Sequence, residues 1–378
     1  MIYMKQKLMI NSLKAFIISM VLAIGFSACN KDLQNATPIL YPRNGDTTVF
    51  GLLNRDTSLS FYRAAVTRVG LNSLLNNDSE RLTVFIPNND AFRASGITSI
   101  GLINILPIAT VGGIVQYSII PGEQFVDTIT SVTTAFPNVQ LPSYITIATI
   151  PGTAIPINLP LFPSKRPTGF WINNIPMVAS NLLATNGIVH KVARIVAPPN
   201  QVLAQLLGND PNESLFNALI ARGDSGQTGL NAISNALAFP IANLTLFAPT
   251  NAAMKSFINA ISGIPVVAPD AVFIGFINNF LPVQSARGIV VYHLMPYRAF
   301  SVNFPTTGAF FPTLLNGAIP AHPGVKVQAT FIGGFGVALQ VTGAGNGGNP
   351  ALSTAPTNLD KNAVNGVEHI IDRVLLPQ

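Results

Sequence analysis

The chain has little of the chemistry on which most covalent links and most catalytic sites depend. Its 378 residues include one cysteine, one tryptophan and four histidines, and only 10% of the residues are charged. A single cysteine excludes an intramolecular disulfide. The histidines are His190, His293, His322 and His369, and none lies at helical ligand spacing from another or beside a cysteine pair. We therefore expect no metal site and no cofactor.

Positive charge is also scarce once the first residues are set apart. The chain has 21 Lys and Arg against 15 Asp and Glu, and residues 1–28 hold three of the lysines and no acid, so the net charge falls from +6 to +3 without them. No Lys/Arg cluster is present, which excludes the electrostatic footprint of a nucleic-acid-binding protein. No paired carboxylates, nucleophile or metal constellation is evident. We expect a protein that binds and does not catalyse.

The first residues predict export and lipid anchoring. Three lysines precede an uncharged, mostly apolar stretch over 15–26, which is too short for a membrane-spanning helix. It ends in Phe26-Ser-Ala-Cys29, which resembles a bacterial lipobox. We expect a lipoprotein signal peptide over 1–28, lipid on Cys29 and a polar tether over 29–46. The expected location is the cell envelope, at the outer membrane, with either the periplasmic or the surface face.

Two motifs follow, and each occurs twice. Arg81-Leu-Thr-Val-Phe-Ile-Pro-Asn-Asn-Asp-Ala-Phe92 predicts a strand, a turn at proline and a helix start, and Thr245-Leu-Phe-Ala-Pro-Thr-Asn-Ala-Ala-Met254 repeats that order. Downstream of each comes an Asn-Gly-x-x-His ending, first at 186–196 and again at 365–375. A repeated pair of motifs indicates a repeated domain.

These motifs resemble those of the fasciclin-type adhesion domain, which has a Thr-Val-Phe-Ala-Pro-Thr-Asn/Asp-x-Ala-Phe stretch and an Asn-Gly-Val-x-His-x-Ile-Asp-x-Val-Leu-x-Pro ending. The resemblance implies an α+β protein with two tandem domains, domain 1 over 47–199 and domain 2 over 200–378. Each would have a β-sandwich or barrel-like core with several short helices. It also implies an adhesion role, because the family shares a binding scaffold rather than one reaction.

Four residues of the motifs are expected to have structural roles. Asn88 or Asn89 in domain 1 and Asn251 in domain 2 should cap the helices that follow them. His190 and His369 occupy equivalent places in the two endings. Either could be a ligand or proton carrier, but we predict strand histidines with one ring nitrogen bonded to the backbone.

The pair Tyr292-His293 matches a Tyr-His pair that the resemblance links to receptor binding in animal fasciclin-type proteins. Domain 1 has Tyr117-Ser118 instead. The Asp-Ile pair of those proteins is replaced by Asn181-Leu182 and, in our sequence assignment, Asn358-Leu359. We therefore expect no integrin-type partner. Tyr292 and His293 remain candidate binding residues, with a place in the core as the alternative.

Local patterns add three expectations. The run 288–294 predicts a strand that carries Tyr292-His293, and 169–178 and 324–342 each predict a pair of strands. Tyr292 lies 47 residues after Thr245, whereas Tyr117 lies 34 residues after Thr83. This difference predicts an insertion of about thirteen residues near 261–270.

The single tryptophan, Trp171, is the one sequence mark that would favour a glycan partner, since sugars stack on exposed aromatic rings. The alternative is that Trp171 belongs to the core. Taken together, the sequence predicts a membrane-anchored lipoprotein that recognises an extracellular protein or glycan. A carrier of a small apolar ligand is the alternative, because low charge and abundant Phe suit a pocket. An extracellular hydrolase is a third and weaker possibility.

Overall fold

The computed structural model describes residues 45–129, 140–149 and 153–378. The expected signal peptide, Cys29 and nearly all of the expected tether lie outside the described residues. Residues 45–378 form one compact unit that contains both copies of the repeated motifs. None of the helices in these described ranges is long and apolar enough to cross a bilayer.

Domain 1 combines short helices with one large sheet. Its helices are α1 Val49–Arg55, α2 Ser60–Arg68, α3 Asn72–Leu75, α4 Asn89–Ala94, α5 Ile100–Ile105 and α6 Ile108–Tyr117. Its strands are β1 Leu82–Pro87, β2 Ile119–Pro121, β3 Leu141–Thr149, β4 Pro156–Leu161, β5 Pro163–Arg166, β6 Gly169–Ile172, β7 Ile175–Ala184 and β8 Gly187–Val192. The sheet order is β2-β1-β8-β7-β6-β5, and β3 pairs with β4.

Domain 2 repeats this plan with two separate sheets. Its helices are α7 Leu203–Asn209, α8 Ser214–Gly223, α9 Ile233–Ala238, α10 Asn251–Ser262, α11 Asp270–Asn279 and α12 Val283–Tyr292. Its strands are β9 Leu244–Pro249, β10 Leu294–Met295, β11 Ala309–Phe311, β12 Val325–Ile332, β13 Phe335–Thr342, β14 Ala351–Ser353, β15 Lys361–Ala363 and β16 Gly366–Ile371. The sheet orders are β10-β9-β16-β15 and β11-β12-β13-β14. The predicted α+β class is confirmed.

A parallel strand pair lies at the centre of each domain and brings the two motifs together. Strand β1 of the first motif runs parallel to β8 of its ending, and β9 runs parallel to β16 in the same register. Every residue of β1 is buried, because Val84 and Ile86 face the helices while Phe85 faces a second core against β3 and β4. A strand buried on both faces has no polar alternation, which explains its continuous apolar sequence.

The asparagine of each Asn-Gly ending is a buried connector as well as a turn residue. Asn186 Oδ1 accepts the N–H of Val49 at 2.8 Å, and its Nδ2 donates to the carbonyl of Leu75 at 3.0 Å. Asn365 Oδ1 likewise accepts the N–H of Leu203 at 2.8 Å. Each asparagine therefore fixes the first helix of its domain to the end of the central sheet, which the turn signal alone did not predict.

The local expectations have mixed outcomes. The strand pairs at 169–178 and 324–342 are confirmed as β6-β7 and β12-β13. The strand expected over 288–294 is wrong, because residues 288–292 belong to α12, whose residues Ala286 and Val290 are buried at helical spacing. The extra residues of domain 2 lengthen helices: α10 has 12 residues against 6 in α4, and α11 has 10 against 6 in α5.

Candidate functional site

Tyr292 and His293 are fully buried at the end of α12 and bond the backbone around them. The Tyr292 hydroxyl donates to the carbonyl of Gly324 at 2.7 Å. His293 Nδ1 donates to the carbonyl of Ile289 at 2.8 Å, and Nε2 accepts the N–H of Leu375 at 2.9 Å. Burial disfavours the charged ring and lowers the pKa of His293 from 6.5 to about 4. Both side chains lie in the core, without a surface that a partner could contact.

His190 and His369 lie at equivalent positions of β8 and β16, and both are buried. His190 Nε2 donates to the carbonyl of Gln124 at 2.9 Å, and His369 Nε2 donates to the carbonyl of Ala299 at 3.0 Å. Burial lowers the pKa of His190 to about 4 and also lowers that of His369. Since Nδ1 of each ring accepts a second backbone N–H, both nitrogens are used, one more than the sequence led us to expect.

The residue that donates to Nδ1 identifies the counterparts in the two domains. It is Asn181 for His190, at 3.3 Å, and Asp360 for His369, at 3.2 Å, and both donors have a left-handed backbone with φ 55°. The counterpart of Asn181-Leu182 is therefore Asp360-Lys361, and our sequence assignment to Asn358-Leu359 is wrong by two residues. The spacing in the sequence could have identified this counterpart, because Asp360 precedes Asn365-Gly366 by as many residues as Asn181 precedes Asn186-Gly187.

Asn89 and Asn251 do not cap the helices that follow them. The caps of α4 and α10 are Asn88 and Thr250, whose extended backbone lets the side-chain oxygen accept an N–H three residues on. The expected cap is thus right for Asn88 and one residue late for Asn251. Asn89 and Asn251 instead reach across to the first turns of α2 and α8, where each Oδ1 accepts a backbone N–H at 3.0 Å.

Trp171 lies between the two domains, with 2% of its surface exposed. Its Nε1 donates to the carbonyl of Gly334 in domain 2 at 2.7 Å. Its ring belongs to a buried cluster with Phe162 of domain 1 and Phe300 and Val302 of domain 2. The ring is part of the contact between the domains and has no open face on which a sugar could stack.

Polar bonds surround this aromatic contact. Arg166 Nη1 of domain 1 donates to the carbonyls of Val302 and Phe304, both at 2.8 Å. Asn303 Nδ2 donates to Ser164 Oγ at 2.9 Å. Buried polar groups that are paired in this way favour one arrangement over others, since any shift would leave them without partners. The two domains therefore meet in a specific contact.

Arg298 of domain 2 lies fully buried at the same contact. Its guanidinium is 4.3 Å from the ring centre of Phe162 in domain 1, a cation–π distance. It donates to Asn243 Oδ1 at 2.9 Å, to Asn362 Oδ1 at 2.7 Å and to nearby carbonyls. Burial lowers the pKa of Arg298 from 12.5 to about 10, so the guanidinium is still charged at neutral pH. Carbonyl and amide dipoles and the face of the Phe162 ring stabilise this charge.

Domain 2 also contains a buried group of charged side chains that the sequence did not reveal. Glu213 and Glu368 are fully buried, and neither oxygen of Glu213 has a hydrogen-bond partner among the described residues. Lys361 Nζ lies 2.7 Å from Glu368 Oε2 and 3.8 Å from Asp210 Oδ2. Burial, and secondly the charge of Glu368, raise the pKa of Glu213 from 4.5 to about 8. Glu213 therefore keeps its proton at neutral pH.

Domain 1 is apolar at the same positions. Its counterparts are Leu59 for Glu213, Val189 for Glu368 and Leu182 for Lys361. Leu59 and Glu213 are each the last residue of a turn of 3₁₀ helix. Leu182 is the cross-strand neighbour of Val189, and Lys361 is the cross-strand neighbour of Glu368. At these three positions the two domains have the same backbone arrangement, but the side chains are apolar in domain 1 and ionisable in domain 2.

Two open grooves lie on the surface of the described residues. The groove of domain 1 has a volume of about 500 Å³ and lies over Leu59, Leu182 and Val189. Arg55, Asp56 and Lys191 also line this groove, and Lys191 forms an ion pair with Asp56. The groove of domain 2 has about 530 Å³ and is lined mainly by apolar side chains: Val291, Leu314, Leu315, Ala318 and Ile319, with Arg287 and His322. Either volume suits a small, mainly apolar molecule.

Residues 45–129, 140–149 and 153–378 contain no group of three or more His, Cys, Asp or Glu that could hold a metal ion.

Comparison with protein families finds the fasciclin domain twice in this chain, over residues 57–198 and 227–377. Among solved structures, the chain is similar to a FAS1 domain pair from the insect cell adhesion molecule fasciclin I, at 14% sequence identity and a TM-score of 0.36. That similarity covers 84% of this chain and 96% of the insect chain. No curated protein matches the sequence.

Proposed function

The chain belongs to the fasciclin domain family, and we propose that it is a lipid-anchored adhesion protein of the cell envelope that binds an extracellular protein or glycan. Membership of an adhesion-type, generally non-enzymatic family indicates binding as the class of function. The observation that carries the proposal is the presence of two such domains in one chain. Binding without catalysis also accords with the low content of charged residues and histidine.

The contact between the domains supports a multivalent mode of binding. Trp171, Arg166 and Arg298 hold the two domains together through ring packing and paired polar groups. Two binding faces held in one arrangement lose little further entropy when both engage, so weak contacts gain strength from their number. A membrane that carries many copies of the protein multiplies this effect.

Anchoring is proposed from the lysine-rich start and the Phe26-Ser-Ala-Cys29 sequence. We expect the mature chain to begin at Cys29 with attached lipid and to fractionate with membranes. Replacement Cys29→Ser should give an unlipidated or mislocalised precursor. Mass spectrometry of the mature N-terminus decides the matter, and an unmodified terminus at another residue would refute the anchor.

Adhesion can be tested on the chain from residue 30, which keeps the compact unit over 45–378. We expect it to bind a matrix, glycan or cell-surface array more tightly when immobilised at high density than as a free monomer. Equal binding in both forms would contradict multivalent adhesion. Turnover of a hydrolase substrate that survives repurification, and disappears when one polar residue is changed, would instead assign an enzyme.

The two grooves favour a second candidate function, the carriage of a small apolar ligand. The groove of domain 1 has an apolar floor that domain 2 replaces with charges, so a ligand should bind domain 1 at Leu182. Native mass spectrometry of the purified protein would detect a retained molecule. The change Leu182→Lys introduces the residue that domain 2 has there and should release it. Retention by this variant would exclude the groove of domain 1.

A further inference from the structure

Five large apolar side chains are exposed along one segment of domain 2. The exposed fraction is 89% for Val267 and 73% for Phe280, and the other members are Ile261, Val266 and Val272. We call this set the α10–α11 patch, because it runs from the end of α10 through the connecting loop and α11. The segment includes much of the length by which domain 2 exceeds domain 1.

Helix α11 is apolar on two faces. Phe273 and Ile277 point into the core of domain 2 and are fully buried. Val272, Phe276 and Phe280 follow one another at four-residue spacing on another face, and the rings of Phe276 and Phe280 stack at 5.8 Å. A surface helix normally has a polar outer face, whereas Val272 and Phe280 are exposed apolar side chains that none of the described residues covers.

The α10–α11 patch has no net charge that would attract a charged partner. Between Lys255 and Arg287 the sole charged residue is Asp270, and Lys255 Nζ lies 2.6 Å from its Oδ1. The pair is neutral overall. The chemistry that fits the patch is therefore an uncharged, apolar environment.

Side chains of α10 bond part of the backbone of the connecting loop, which favours lipid over protein as the partner. Asn259 Nδ2 donates to the carbonyl of Ile264 at 2.8 Å, and Lys255 Nζ donates to that of Ala268 at 3.2 Å. The loop also contains two prolines, which have no N–H group. A protein interface usually makes one hydrogen bond per 100–200 Å² or so, whereas hydrocarbon penalises every unpaired polar group. Two carbonyls of the loop are thus paired with side chains of α10, and its two prolines have no N–H to pair, which reduces the number of polar groups that hydrocarbon would leave without a partner.

The length of chain before Gly45 brings this patch within reach of a membrane. Gly45 lies sixteen positions after Cys29, and a fully extended chain spans about 55 Å over that number of residue steps. A compact unit of the size of 45–378 has a radius of gyration of about 20 Å. Any face of the unit can therefore meet the bilayer, and this step rests on the proposed lipid anchor.

We propose that the α10–α11 patch inserts into the surface of a lipid bilayer as a second membrane contact. The lipid at Cys29 would hold the chain at the membrane without fixing its orientation. Insertion of Val267, Phe280 and their neighbours fixes which face of the two domains points outward. Burial of several apolar side chains gives reversible binding, in contrast to a spanning helix.

The test uses the chain from residue 30, which retains the compact unit and lacks Cys29, so its result does not depend on lipidation. Sedimentation with phosphatidylcholine vesicles measures the partition coefficient. The double change Val267→Asp/Phe280→Asp should lower it at least roughly tenfold. The matched control is Ile332→Asp, which alters a side chain 70% exposed in β12, outside the patch, and should leave partition unchanged.

Several outcomes would overturn the proposal. They are absence of vesicle binding by the unaltered chain, equal binding by the double variant, and equal loss in the Ile332→Asp control. Self-association that the double change abolishes, without vesicle binding, would assign the patch to a second copy. Thermal melting checks folding, and Val267→Asp alone decides if the double variant does not fold. Loss of the proposed anchor would appear in the mature N-terminus and would leave the vesicle result intact.

Discussion

The buried charged group of domain 2 can be replaced by the apolar residues that domain 1 has at the equivalent positions. This replacement should stabilise the protein. The perturbation is the triple change Glu213→Leu, Lys361→Leu and Glu368→Val, which introduces residue types that the same backbone already packs in domain 1. The change removes two fully buried carboxyl groups and the ammonium that faces one of them. It leaves the surrounding apolar core in place.

The magnitude follows from the cost of burying charge. Replacement of a buried ionic group by apolar residues of similar volume is neutral or stabilising by about 1–4 kcal/mol. We expect a gain in this range at pH 7, because Glu213 makes no hydrogen bond to the described residues that the change would lose. Lys361→Leu alone should be destabilising by about 3–5 kcal/mol, since it leaves Glu368 buried without its partner.

The gain should depend on pH in a direction fixed by Glu213. Its folded pKa, about 8, lies above its ordinary value of 4.5. The folded domain keeps a proton that the unfolded chain has released, so the contribution of Glu213 to the free energy of unfolding falls as pH rises from about 4.5 to about 8. The triple variant lacks this group. Its advantage over the unaltered chain should therefore grow from pH 5 to pH 8.

Urea unfolding followed by circular dichroism at pH 5, 7 and 8.5 measures both quantities. Leu59→Glu, the reverse change in domain 1, is the matched control and should destabilise that domain. The reasoning is refuted if the triple variant is less stable than the unaltered chain at every pH. An advantage that shrinks as pH rises would contradict the assigned protonation of Glu213.

Three further changes test other parts of the structure. His369→Gln should lower the free energy of unfolding by about 1–3 kcal/mol, because a flexible amide replaces the fixed Nε2 donor and Nδ1 acceptor of the ring, and unchanged urea midpoints would contradict this. Acidification from pH 6.5 to pH 4 should destabilise the fold, since His190 and His293 have folded pKa values of about 4 and the unfolded chain takes up protons first. A melting temperature that stays constant over this range argues against it. Trp171→Phe should lower stability by about 1 kcal/mol, because the partly buried carbonyl of Gly334 loses its donor, and a melting temperature equal to that of the unaltered chain would disprove that role.

The features predictable from sequence are those that each domain encodes within a few residues. Proline after a run of apolar residues marks the end of β1 and of β9, and the Asn-Gly pair marks the turn before β8 and β16. Their repetition indicated two domains of one type, and the family comparison shows this independently. Local chemistry sets these elements, so local sequence predicts them.

Helix and strand were confused where an apolar run satisfies both patterns. The run 288–294 contains three consecutive β-branched residues, which favoured a strand. The structure makes most of it helical, because burial of Ala286 and Val290 against α8 decides the conformation. Tertiary packing overrides propensity in this segment, and a single sequence does not contain that information.

Buried charges were missed for a related reason. Glu213 and Glu368 are 155 positions apart, and nothing in the sequence near either residue marks it as buried. Glu368 stands between Val367 and His369, a sequence that an exposed strand could equally contain. Only the parallel pairing of β9 with β16, which is buried on both faces, brings it inside. The contact of Trp171 with Gly334 is likewise set by how the domains dock.

The contact between the domains shows how one position can acquire opposite surroundings. Glu123 of domain 1 and Arg298 of domain 2 are counterparts, because each precedes a residue whose N–H donates to the threonine of the central strand. Glu123 is about one-third exposed, 3.8 Å from Arg81. Arg298 is buried under Phe162 of the other domain. Since the two places share one backbone plan, the neighbouring domain determines which charge is buried. Equivalent residues of a repeated domain should therefore be expected to differ in burial wherever the domains use different faces to meet.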